Sequence, residues 1–107
     1  MGTSVPKMGR PSAVRIIGKT YGIGYVNGKP LDDDDLGEFD PFKQRISIRH
    51  GQPLEQEQDT VLHEIIHAIS HEADINLQEK QVRPLATILL GILKDNERLV
   101  SYLRKRK

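Results

Sequence analysis

"TVLHEIIHAISHEAD", Thr60 to Asp74, sets two histidines four residues apart, with a glutamate directly after the first. Turning about 100° per residue from His63 places His67 at about 40° and Glu64 at about 100°. Val61, Leu62, Ile65, Ile66 and Ile69 fall between about 160° and 300° on the same wheel. The stretch therefore reads as part of a helix running from Leu54 to about His71. Its aliphatic back is anchored, and its opposite side presents His63, Glu64 and His67. Imidazoles on successive turns can hold one tetrahedral zinc at about 2.0–2.1 Å. The intervening carboxylate is placed to take a proton from a water on such a metal. The plain alternative is the wet face of an ordinary amphipathic helix. Three of the chain's four histidines share that face, which favours a divalent metal.

A catalytic zinc takes three protein ligands and keeps one position open. His71 lies at about 80° on the wheel but about 9 Å along the axis from the midpoint of the other two histidines. It reads as a supporting group or substrate contact rather than a ligand. Glu72 points to the opposite face, and Asp74 is a minor candidate beyond the helix end. In "NLQEKQVRPLATILLGILKDN", Glu79 heads the stripe Val82, Ala86, Leu89 and Leu93, which follows one helix face. A carboxylate leading an apolar stripe needs a partner, and a metal would supply one. The competing reading pairs Asn76 with Glu79 as a capping box. The glycine-centred third histidine of metzincins is absent, because "AISHEA" follows His67.

Working outward, "AVRIIGKTYGIGYV" reads as one bent strand or two short ones, stopped by the turn "NGKP" at residues 27–30. "LDDDDLGEFDPF" reads as an acidic loop. It lacks the ligand spacing of a calcium loop, so solvated aspartates are the simpler account. "QRISIRH" alternates Ile46 and Ile48 with polar neighbours, the period of a half-buried strand. Pro53 suits the first turn of the helix that follows. A second helix is expected from after Asn76 to Lys94, bent or weakened at Pro84, then a short last helix with a basic end. The expected fold is α+β. A small antiparallel or mixed sheet of three to four strands would pack against the histidine helix and a second C-terminal helix. Residues 1–11 form a flexible lead, and residues 12–107 a single domain.

Composition narrows the function. With 107 residues and a formal charge of +1, the chain suits one small domain and not a surface built for nucleic acid. It has no cysteine, so thiolate metal sites and disulfides are excluded. No signal-peptide core or run of about 20 apolar residues is present, so an intracellular protein without membrane partners is expected. Tyr21, Tyr25, Tyr102 and Arg83 are each candidates to stabilise an oxyanion, and the sequence does not choose among them.

Taken together, "FKQRISI", "TVLHEIIHAI" and "EKQVRPLATILLGILKDN" resemble a minimal gluzincin-type metallopeptidase. The resemblance is to the small ImmA/IrrE-like zinc peptidases carried by phages and other mobile elements, and covers roughly the last two-thirds of the chain. It implies a zincin-like fold with His63, His67 and Glu79 as zinc ligands and Glu64 as the general base. It also implies that the strand "RISI" lies near the cleft, where an extended peptide could add as another strand. The larger relatives' DNA-binding and sensor regions have no counterpart here. The expected function is zinc-dependent endopeptidase cleavage of a protein or peptide substrate in the cytoplasm. The alternative is a catalytically silent zinc-binding module that acts by protein interaction.

Overall fold

A computed structural model describes residues 9–106. It is an α+β arrangement in the order β1 (Ala13–Ile16), β2 (Lys19–Val26), β3 (Gly37–Asp40), β4 (Arg45–Arg49), α1 (Leu54–Glu72), α2 (Glu79–Asp95) and α3 (Glu97–Arg104). The four strands form one mixed sheet in the order β1-β2-β4-β3. β1 with β2 and β3 with β4 pair antiparallel, whereas β2 and β4 run parallel, Ile23 opposite Ile46 and Tyr25 opposite Ile48.

The first strand stretch is a hairpin rather than one bent strand. Ile17 and Gly18 both take positive φ, 51° and 78°, the backbone that a two-residue turn needs to match strand twist. β3 arises inside the segment read as loop. "GEFD" is only four residues long and carries one large apolar side chain, so periodicity gives it almost no weight. The consequence is topological. β4 lies between β2 and β3, so "RISI" has no free edge; the edge strands are β1 and β3, and β3 is the one on the side of β4.

Alternation places Ile46 and Ile48 on one face of β4, both fully buried with Tyr21, Ile16, Ile23 and Ala68 of α1. Burying each such isoleucine contributes about 1.5–3 kcal/mol. Val61 and Ile65 pack on the same cluster. Leu62 and Ile66 instead face α2, where Val82 and Ala86 are fully buried. α1 is thus sandwiched between sheet and helix, and its apolar surface is two faces rather than one back.

Pro53 is the residue just before α1. α2 runs unbroken through Pro84, which lies one to two turns in with its ring exposed. Residues 1–8 of the expected flexible lead lie outside the described residues. Arg10 and Pro11 are held: Arg10 pairs with buried Glu57 at 3.1 Å and lies over the Tyr25 ring, and the Tyr25 hydroxyl donates to the Pro11 carbonyl at 2.9 Å. No helix among the described residues is long and apolar enough to cross a membrane.

Candidate metal centre

The expected cap at Asn76 and Glu79 does not form, and the reason lies in the link between the helices. Ser70 Oγ donates to the Ile75 carbonyl and accepts from Leu77 N–H at 3.0 Å, which keeps residues 75–77 out of helical conformation. The helix starts at Glu79, and the capping bond is made two residues later than expected, from Gln78 N–H to Gln81 Oε1 at 2.7 Å. Glu79 is left free of capping, and its side chain turns to α1.

There it meets both histidines. Glu79 Oε1 lies 2.9 Å from His63 Nε2 and 3.0 Å from His67 Nε2, and the two ring nitrogens are 3.2 Å apart. Ligands placed about 2.0–2.1 Å from a tetrahedral ion are separated by about 3.3 Å. The triangle is within a few tenths of an ångström of that shape. Two imidazole nitrogens converging with one carboxylate oxygen form a donor set suited to a divalent cation. Among the described residues this is the one group of three or more histidine and acidic side chains able to hold a metal ion. Partial burial works to raise the Glu79 carboxyl, but the adjacent imidazoles outweigh it by charge and hydrogen bonding and leave it below its ordinary range.

Glu64 departs from the wheel's expectation. It does not stand on an open face with the histidines but is buried beneath β3. The close approach depends on Gly37: a β-carbon there would lie 2.8 Å from Thr60 Cγ2 and 3.0 Å from both Cγ and Oε2 of Glu64. Burial pushes the Glu64 carboxyl up to about 8, and the negative charges of Glu79, Glu38 and Asp35 add to it. A cation bound beside it would oppose that shift.

His63, Glu64 and Glu79 line a cleft of about 340 Å³, walled also by Asp34, Asp35, Leu36, Gly37, Asp59, Thr60 and Arg83. Of the four oxyanion candidates only Arg83 lines this cleft. Tyr21 is fully buried and donates to Glu72, Tyr25 serves Pro11, and Tyr102 is exposed on α3. His71 lies outside the ligand group, its ring edge-on to Phe39 of β3 at 5.7 Å. Asp74 is exposed in the turn after α1 and is also outside it. The aspartates at 32–35 do not converge into a cation site.

Sequence reading missed Asp59 and Thr60 as cleft residues, although a signal existed. On the wheel that places His63 at zero they fall at about −40° and about 60°. It also missed Gly37, Asp34 and Asp35, for which no local pattern gives a cue. Comparison with family models, curated proteins and solved structures returns no match.

Proposed function

We propose that this chain is a zinc-dependent endopeptidase of the gluzincin type, with His63, His67 and Glu79 as ligands. The observation that carries the reading is the convergence of three ligand atoms at 2.9–3.2 Å beside a buried carboxylate. Zinc held by His63, His67 and Glu79 would supply Lewis acidity and would lower the pKa of water in the cleft. Glu64, buried beside the ligand group, would accept the proton of the attacking water and return it to the leaving amine. The outer edge of β3 offers unpaired backbone groups to an extended peptide, which would lie along the cleft. Arg83, on the α2 wall, is the group available to polarise the peptide carbonyl. An intracellular role like that of the ImmA/IrrE-like peptidases belongs to the same proposal, on the strength of the resemblance alone.

Glu64→Gln tests it. The variant is expected to bind one zinc per chain and to lose peptide hydrolysis by about 10²–10⁴-fold. Full hydrolysis by this variant excludes Glu64 as the base, and loss of metal by it reassigns Glu64 to the ligand set. The second reading, a metal-stabilised interaction module, is favoured by the exposed apolar side chains of α2 and α3, among them Ile88, Leu99 and Leu103. It gains if Glu64→Gln keeps the chain's full biological effect.

A further inference from the structure

The cleft beside the metal group has charged walls that metal binding does not use. Asp34 and Asp35 enter it from the loop before β3, Asp59 from α1 and Arg83 from α2. Arg49 fastens the loop through main-chain oxygens, reaching Asp32 O at 2.6 Å, Asp35 O at 2.7 Å and Asp33 O at 3.3 Å. Its guanidinium is thereby committed to carbonyls. The Asp34 and Asp35 carboxylates remain exposed, with no ion pair among the described residues. Asp59 Oδ1 accepts from Thr87 Oγ1 at 2.8 Å. Glu64, only 7% exposed, lines the same cleft and accepts no hydrogen bond among the described residues. Even with Glu79 engaged by a metal, three aspartates face a single guanidinium. The acidic pair also lies just before β3 in the chain, and shares the cleft lining with Gly37, the first residue of that edge strand.

We infer that the cleft selects an extended peptide segment carrying lysine or arginine, whose cationic side chain meets Asp34 and Asp35 at the entrance to the β3 edge. The inference rests on the metallopeptidase reading and names its substrate class. Charge complementarity of this kind discriminates between partners and is sensitive to salt.

The test is binding, read by fluorescence anisotropy, of labelled decapeptides to the zinc-loaded Glu64→Gln chain. The peptides share one sequence in which two central positions are both lysine, both alanine or both glutamate. The lysine peptide is expected to bind roughly tenfold more tightly than the alanine peptide, with the glutamate peptide weakest. The Asp34→Asn/Asp35→Asn double variant is expected to lose that preference. The Asp32→Asn/Asp33→Asn double variant changes net charge equally but outside the cleft lining, and is expected to keep it. Equal binding of the three peptides overturns the inference, and so does an equal loss in both double variants. Because binding to Glu64→Gln requires no turnover, the two readings fail separately. If the wild-type chain does not cut a lysine peptide that binds in this way, the peptidase reading fails and the selectivity stands. If it cuts lysine and glutamate peptides at equal rates, the selectivity fails and the peptidase reading stands.

Discussion

Against the sheet, α1 buries Ala68 and leans Val61 and Ile65 on Ile16, Tyr21, Ile23, Ile46 and Ile48. Against α2 the buried set shrinks to Ile66, Val82 and Ala86, and much of the rest of α2 remains open, with Leu85 48% and Ile88 62% exposed. The polar contacts differ in the same sense. On the sheet side Tyr21 donates to Glu72, which Lys19 also pairs at 3.2 Å, so the charge is matched within the protein. On the α2 side His63 and His67 both meet the single oxygen Glu79 Oε1, at 2.9 and 3.0 Å, and their own ring nitrogens lie 3.2 Å apart. One side of the helix is completed by apolar packing, and the other gathers three side chains that could hold a metal ion. The difference teaches that the sheet side carries most of the buried core, whereas the α2 side sets how firmly His63, His67 and Glu79 are held together.

Four measurements break or sharpen that contrast. Ile46→Ala, in the sheet-side core, is expected to cost about 2–5 kcal/mol in denaturant unfolding. A cost near zero would mean that the sheet face is not the foundation. Next in size is the effect of metal. Zinc at a hundredfold excess over its dissociation constant adds about 2.7 kcal/mol to a chain that binds it only when folded. Calorimetry is expected to show that rise for the wild type and none for His67→Ala, and a rise that survives His67→Ala places the ion elsewhere.

Smaller again is Gly37→Ala, whose methyl would press on Thr60 and Glu64. About 1–3 kcal/mol of stability is expected to be lost by overpacking. Zinc should remain bound while peptide hydrolysis drops by about tenfold or more, because the base is displaced and the ligands are not. Unchanged turnover would show that β3 does not position Glu64.

The smallest effect is a change in pH dependence. Burial, then the hydrogen bond to Glu72 and its charge, push Tyr21 up to about 12. Stability is therefore expected to fall as pH rises from the unfolded tyrosine value of about 10 towards 12. The Glu72 carboxyl is held below its ordinary range chiefly by the Tyr21 hydroxyl, with help from Lys19. Its contribution is present above the unfolded carboxylate value and is lost as pH falls through the folded one. Tyr21→Phe should flatten the alkaline loss and reduce the acid one, as followed by thermal midpoints across pH. Identical profiles for variant and wild type would remove the Tyr21–Glu72 pair from the account.

How much was legible in the sequence follows the range of each interaction. The neighbouring imidazoles of His63 and His67 depend on helical repeat alone, and so does the stripe from Glu79 through Val82 to Ala86. The short strand "GEFD" and the cap at Gln78 were not legible. The first is too short for a period, and the second depends on Ser70 tying back the residues between the helices.

The sequence alone determined the helix that carries the histidines, the alternation of Ile46 and Ile48, and the absence of thiol ligands, because each follows from spacing or composition along the chain. Only the tertiary structure decided that Glu79 meets both imidazoles, that Glu64 is buried under Gly37, and that β3 rather than β4 offers the free edge. Those outcomes depend on contacts between residues far apart in the chain, and no local period encodes which distant surface a helix face or strand edge will meet.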